Sequence, residues 1–463
     1  MSKNKRLLKN TIIIGIGVMC TKAISFLMVP FYTMWLSPAQ YGEYDLLVSY
    51  LSLFVPIITL QVEQAIFCWC LKGKNNLQNL QYLYNGLLLT FINIVVVNIL
   101  SYFLLSQNDV KLAFVLYFDS YAIFVLLAEY LRGNNKMKQY SLYNIVACFI
   151  EVCLSFLFVP ILHWKIKGLI YAYAVAFLVV DIIIAIKENL FKNFRIIMLQ
   201  KNILKEMLCY SLPLIPNSIS WWITNVSDRT MIKFFIGSFY NGIYAVSCKI
   251  PTILSMVYSI FNLSWQQTAI MCYDDLDRDR YYKNIFNSLI SFLFSSTMLI
   301  LIAVPFFFNV FIKSDYYNAI YCVPFLLVGT IYLCLGQFLG GIMLAQKQTK
   351  NIGCTTTVAA VINVFINIIL LKKYGLIVAG ISTMISYMYF FFSRYCMITF
   401  IHNKMFITKI IMNTFAVAII SIILLSPIHV VFKILCDITI ILYFFLINKT
   451  FFLKILFLLK QKI

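Results

Sequence analysis

Charge is what this sequence has least of: Asp, Glu, Lys and Arg make up 12% of its 463 residues, where a soluble domain carries about 25%. Most of its surface therefore faces lipid rather than water. Acidic residues are the scarcer kind, 17 against 37 Lys and Arg, leaving a formal charge of +20. That surplus has no soluble domain to sit on, which excludes nucleic acid as a partner. Histidine is nearly absent: His163, His402 and His429 are scattered over links and make no ligand spacing. The cysteines give no disulfide framework, since Cys20, Cys148, Cys153, Cys248, Cys334 and Cys396 lie inside apolar segments as small hydrophobes. Cys68 and Cys70 have no second Cys or His pair near them, so no metal site is expected. A phosphate-cradling glycine loop is missing as well, which argues against an ATP-driven pump and leaves no cofactor to expect. Every odd-numbered link is short, so the sizeable extracytoplasmic domain of a membrane glycosyltransferase or polymerase is missing too.

What the sequence has in quantity is apolar length. With 62% hydrophobic residues, it divides into about fourteen stretches long enough to cross a hydrocarbon core. These run over 11–36, 43–67, 82–105, 111–131, 142–162, 168–187, 207–236, 241–264, 284–312, 320–345, 352–371, 375–400, 408–426 and 429–448. The fold class expected is an all-α polytopic membrane protein. The first stretch is too long for a signal peptide and has no small-residue cleavage site before the link 37–42.

Basic residues concentrate in the N-terminal tail (Lys3, Lys5, Arg6, Lys9), the even links and the C-terminal tail (Lys449, Lys454, Lys460, Lys462). By the positive-inside rule both termini are cytoplasmic. The largest basic link, between Lys187 and Lys205, reads as a linker between two halves. The expected organisation is an N-terminal lobe over 1–187, a linker over 188–206, a C-terminal lobe over 207–400, and an accessory pair of helices with a basic tail over 401–463.

The halves repeat each other in places. Tyr41-Gly42-Glu43-Tyr44, entering the second span, recurs as Asn241-Gly242-Ile243-Tyr244 entering the eighth. Gly168-Leu169-Ile170-Tyr171-Ala172, entering the sixth, recurs as Gly375-Leu376-Ile377-Val378-Ala379 entering the twelfth. Six spans separate the copies each time. An even number of spans gives parallel repeats, the arrangement that puts a binding site between two lobes.

Several stretches carry a family resemblance. Leu7-Leu8-Lys9-Asn10, Thr21-Lys22-Ala23-Ile24-Ser25-Phe26-Leu27, Trp35-Leu36-Ser37-Pro38-Ala39-Gln40-Tyr41-Gly42-Glu43-Tyr44, Ile57-Ile58-Thr59-Leu60 and Ala65-Ile66-Phe67 resemble the polysaccharide-biosynthesis flippases of the MOP/MATE-like superfamily. Asp228-Arg229 and Trp265 continue the likeness, and the span count fits it over the whole length. The resemblance implies two pseudo-symmetric six-helix lobes around a central cavity, with two further helices packed outside. It also implies transport of undecaprenyl-diphosphate-linked oligosaccharide from the cytoplasmic to the periplasmic leaflet. Relatives tend to have Trp-x-Pro where this chain reads Trp265-Gln266-Gln267, so a kink shared at that point is not expected.

Charges inside the spans are the candidate site residues. Lys22 lies about 16 Å into the first span, close to the midplane of a core about 30 Å thick, where an ammonium group needs water, a carboxylate or an anionic ligand. Lys249 lies about 12 Å into the eighth span, and the planar fork of Arg229 suits phosphate oxygens. Lys22, Lys249 and Arg229 are expected to bind the diphosphate; the alternative is that each neutralises a carboxylate or snorkels to an interface. Glu151, Asp181, Glu63, Asp119 and Asp228 are expected to serve as counter-ions or as proton or sodium sites. Asp228 and Arg229 point about 100° apart on a helix and make unlikely partners. Asp437 belongs to the fourteenth span, outside the cavity. Pro30, Pro213 and Pro216 are expected at bends that gate the two lobes, and Pro56 and Pro251 at further bends. Gly336 and Gly340 form a helix-packing GxxxG, and the run from Asp274 to Arg280 reads as a solvated turn rather than a magnesium site.

The function expected is that of a non-enzymatic flippase in the bacterial inner membrane. It would carry lipid-linked O-antigen, capsule or exopolysaccharide units by alternating access, coupled to an ion gradient. Its partners would be the undecaprenyl-diphosphate-linked glycan, membrane lipid and the polysaccharide polymerase machinery. Two alternatives remain: a lipid II flippase, and a cation-coupled multidrug exporter, whose cavity would be more acidic.

Overall fold

A computed structural model of the protein describes residues 15, 17–72, 75–104, 109–194, 199–346, 348–426 and 437–444. The two basic tails and most of the expected fourteenth span lie outside these residues.

The described residues are almost entirely helical and contain no strand. The helices are α1 (Gly17–Trp35), α2 (Pro38–Ile58), α3 (Val62–Lys72), α4 (Asn76–Leu104), α5 (Asp109–Gly133), α6 (Met137–Phe156, prolonged by a π turn to Ile161), α7 (Lys165–Lys187), α8 (Leu190–Asn193), α9 (Lys201–Ser211), α10 (Ile215–Ile236), α11 (Ser238–Met271), α12 (Arg278–Phe311), α13 (Val323–Ala345), α14 (Thr349–Tyr374), α15 (Ile377–Met397) and α16 (Lys404–Leu425). Ten are long and apolar enough to cross a membrane, or up to eleven if the bent pair α2 and α3 is one span. This is fewer than the fourteen expected. The expected seventh and twelfth spans do form helices, α10 and α15, but their many polar and hydroxyl side chains keep them below that apolar threshold. The membrane face is visible in large apolar side chains that the protein leaves mostly uncovered, such as Phe91, Phe149, Phe365 and Ile422.

The chain forms two compact units, Met1–Ser227 and Asp228–Ile463, so the division falls inside α10. In the first, α5 packs on α7 and α3, and α6 on α7. Its core gathers Ile66, Leu83, Leu126, Leu127, Val180 and Ile184. Gly133 and Gly86 permit the closest approaches among its described residues: a Cβ on Gly133 would meet Cys70 at 2.6 Å, and one on Gly86 would meet Ile66 at 2.7 Å. The first half of α10 also belongs to this unit, held by Gln61 Nε2 donating to Ser218 Oγ at 2.7 Å and Trp222 Nε1 donating to the Ser49 carbonyl at 3.1 Å.

In the second unit α13 is the central helix, packed against α11 and α15, with α14 on α15 and α16 on α12. Trp265 stacks on Phe338 at 4.1 Å and donates to its carbonyl at 2.9 Å. That bond locks α11 to α13, and α11 runs helically through Trp265-Gln266-Gln267 without interruption.

Local chemistry explains the helix ends. The motif Ser37-Pro38-Ala39-Gln40 is a capping box: Gln40 N donates to Ser37 Oγ at 3.4 Å, Ser37 N donates to Gln40 Oε1 at 3.1 Å, and Pro38 pre-sets the first turn. Pro30 follows a break in α1 at Met28. Pro213 lies in a 3₁₀ segment, Leu212–Leu214, and Pro216 in the first turn of α10, so the expected seventh span begins as two pieces, amphipathic α9 and then α10. The sharpest break separates α2 from α3, which meet at 65°. Pro56 precedes it, and Leu60 (φ 50°) and Gln61 (φ 58°) both adopt left-handed backbone, a conformation costing roughly 1–2 kcal/mol per non-glycine residue.

Candidate functional site

Each unit buries one carboxylate between four of its own helices: α1, α2, α6 and α7 in the first, and α10, α11, α14 and α15 in the second. In the first unit it is Glu151 on α6. Tyr32 of α1 donates to Glu151 Oε1 at 2.8 Å and Ser155 to the same oxygen at 3.3 Å. Tyr173 of α7 adjoins it, and Tyr44 of α2 packs edge-on against Tyr32 at 5.8 Å. A buried carboxylate is tolerated only with such donors around it.

In the second unit the carboxylate is Asp228 on α10. Thr383 of α15 donates to Oδ2 at 2.6 Å, Tyr244 of α11 to Oδ2 at 3.0 Å, and Asn367 of α14 to Oδ1 at 2.8 Å. Ser382 lies 2.8 Å from the Asn367 amide, and Asn363 completes the shell. Asn367 Oδ1 is wholly buried and has no hydrogen-bond partner among the described residues. The arrangement is a buried cluster of hydroxyl and amide groups around one carboxylate, whose oxygens can hold a proton or a small hard cation. Tyr44 and Tyr244, which close the repeated tetrapeptides, both serve these clusters, each in its own unit.

The other expected carboxylates are dispersed. Glu63 is buried in the first turn of α3, just past the break, and its Oε2 has no partner among the described residues. Asp119 on α5 accepts from Asn98 at 2.8 Å. Asp181 on α7 is buried without a hydrogen bond or ion pair among the described residues. No lysine or arginine pairs with any of these five carboxylates among the described residues.

Of the expected cations, Lys22 is exposed on α1 and has no hydrogen-bond or ion-pair partner among the described residues. Arg229 follows Asp228 on α10 and Lys249 sits on α11, both partly exposed. No group of three metal-ligating side chains occurs among the described residues.

Sequence reasoning missed the neutral partners: Tyr32, Tyr244, Asn363, Asn367 and Thr383. Only the repeated Tyr44 and Tyr244 gave any signal. It also missed Arg394 at the end of α15, buried among neutral groups. Its guanidinium donates to the Gly336 carbonyl at 3.0 Å, to Thr355 and Thr356 at 3.1 Å each, and to the Ile352 carbonyl at 3.3 Å. It also lies 3.8 Å over the Phe390 ring. The GxxxG of α13 is the seat for this residue: a Cβ on Gly340 would lie 2.5 Å from Arg394 Nη1.

Comparison with known proteins agrees with this architecture. Residues 7–265 match the family model described as polysaccharide biosynthesis protein. An uncharacterized membrane protein of Methanocaldococcus jannaschii is 23% identical over 278 residues, covering 55% of this chain and 63% of that protein, so the match spans under two thirds of the relative. Among solved structures, the lipid II flippase MurJ in an inward closed conformation superposes with a TM-score of 0.72 at 15% identity, over 96% of this chain and 100% of MurJ. An inward-facing multidrug resistance MATE transporter of the MOP superfamily gives 0.61 at 14% identity, over 90% and 99%. At such identities the likeness speaks for the fold alone. The chain belongs to the polysaccharide biosynthesis protein family and is a multi-pass membrane protein with the fold of the MOP-superfamily transporters.

Proposed function

We propose that this protein flips undecaprenyl-diphosphate-linked oligosaccharide from the cytoplasmic to the outer leaflet of a bacterial inner membrane by ion-coupled alternating access, with both termini cytoplasmic. The observation that carries the reading is Lys22: a cation within a membrane-spanning helix, exposed and without a carboxylate or other polar partner among the described residues. An ammonium group in that position calls for an anionic ligand, and a diphosphate whose polyprenyl tail stays in lipid supplies one. In this reading Lys22, Arg229 and Lys249 engage the diphosphate at different stages, and the breaks at Pro30, Pro213 and Pro216 allow the helices to bend. The Asp228 cluster carries the coupling ion, a proton or sodium, because its oxygens surround one uncompensated charge; Glu151 is its counterpart in the first unit. A repeat unit of O-antigen, capsule or exopolysaccharide is the glycan favoured by the family, handed on to a polymerase.

Deleting the gene and locating the undecaprenyl-diphosphate oligosaccharide tests this. Retention in the cytoplasmic leaflet is expected, restored by the wild-type chain. Normal translocation of the oligosaccharide together with retention of lipid II would replace this substrate by the peptidoglycan precursor.

A further inference from the structure

The first unit holds a cavity lined by four of its helices. It measures about 460 Å³ and lies between α4, α5 and α7 under the short helix α8, a volume within the range of small-molecule sites. Its walls are apolar and aromatic, including Leu127, Tyr84, Phe191 and Phe194. Among these walls stands one carboxylate, Asp181, which is only 9% exposed. Its Oδ1 is wholly buried without a partner, and no cation pairs with it among the described residues. An ionised carboxylate in such a setting is uncompensated, so the group is held in its charged form only by a cation beside it.

The roof of this cavity is built rather than loose. Tyr84 OH donates to the Leu190 carbonyl at 2.8 Å, and Lys136 pairs with Glu188 at 2.6 Å. Gln200 N donates to Asn85 Oδ1 at 2.9 Å, and Phe194 packs edge-on against Tyr84 at 5.3 Å. Ile182, Phe191 and Phe194 are exposed at its rim, so the cavity is open to an apolar ligand.

We propose that this cavity binds an apolar organic monocation. The carboxylate of Asp181 neutralises its charge, and the aromatic faces of Tyr84, Phe191 and Phe194 hold its body through dispersion and cation–π attraction. Charge complementarity selects the class: a cation holds the Asp181 carboxylate ionised, whereas a neutral lipid tail makes no use of it and an anion is disfavoured beside it. The ligand sits against α8, within the first unit, so this site is distinct from Lys22 and from the Asp228 cluster. The inference holds whatever the transported substrate is.

Equilibrium dialysis of radiolabelled tetraphenylphosphonium against the full-length chain in nanodiscs tests it. Wild type is expected to bind saturably, one cation per chain. Asp181→Asn, which keeps shape and removes charge, should weaken binding at least tenfold. Ala185→Phe, which fills the cavity and leaves the carboxylate in place, should weaken it as much. Thermal midpoints establish that each variant is folded. Absence of saturable binding by wild type, or wild-type affinity in either folded variant, overturns the proposal.

Discussion

The hydroxyl of Thr383 donates to Asp228 Oδ2 at 2.6 Å across 155 residues of chain. Replacing it by the isosteric Val leaves that oxygen with Tyr244 alone. A buried charged acceptor that loses a donor costs about 1–3 kcal/mol, so Thr383→Val should lower the thermal midpoint. Asp228→Asn, which removes the charge, should instead abolish the dependence of transport on the ion gradient. A melting curve reads the first and gradient-dependent flipping in proteoliposomes the second; undiminished coupling in the folded Asp228→Asn protein would remove Asp228 from the mechanism.

The Tyr32–Glu151 bond is a test of pairing. Tyr32→Phe is expected to destabilise by about 1–3 kcal/mol, and much less in a Glu151→Gln background, because a neutral amide asks less of its donor. A double-mutant cycle on thermal unfolding measures the coupling; additive effects would mean that the two side chains do not depend on each other.

Lys22 makes no bond within the described residues, so its removal should leave stability within about 0.5 kcal/mol. Lys22→Ala is expected to abolish translocation, while Lys22→Arg keeps part of it. A leaflet-resolved lipid assay beside a melting curve separates the outcomes. Loss of folding in Lys22→Ala would point to a carboxylate partner instead of phosphate.

The seat of Arg394 has little room. Gly340→Ala places a methyl against the guanidinium and Gly336→Ala places one 2.5 Å from Phe390 Cδ1, and overpacking of this kind costs about 1–3 kcal/mol. Arg394→Lys cannot reproduce donation in several directions from a planar fork and should melt lower than either glycine variant. Equal midpoints for all three and wild type would show that the α13–α15 contact is not held this way.

At the α2–α3 break, Leu60 occupies left-handed backbone, which Asn tolerates and β-branched residues do not. Leu60→Val should therefore melt below Leu60→Asn, although Val is the closer match in hydrophobicity. The reverse order would show that burial of the side chain outweighs backbone strain there.

Membrane class, helical content and the repeat were legible in the sequence because each rests on composition or spacing over many residues. Apolar length predicts a helix wherever no water can satisfy the backbone. The likeness of Tyr41–Tyr44 to Asn241–Tyr244 survived as two tyrosines serving equivalent places. The break after Ile58 was not legible: a proline at position 56 announces a bend, but left-handed Leu60 and Gln61 carry no sequence mark. Nor was the seat of Arg394, since a GxxxG states only that something comes close.

Carboxylates and lysines could be recognised as costly from their position within apolar spans alone. Their partners could not, because those partners are hydroxyls and amides on helices far apart in sequence, polar enough to bond and too common to stand out. By itself the sequence determined that this chain is a polytopic helical membrane protein with a cation at depth, since burial in hydrocarbon depends on residue type and run length. Only the tertiary structure decided that Glu151 is held by tyrosine and serine, that Asp228 is held by tyrosine, asparagine and threonine, and that Asp181 has no hydrogen-bond or ion-pair partner among the described residues. Hydrogen bonding requires donors within about 3 Å, and that proximity exists only once the helices have packed.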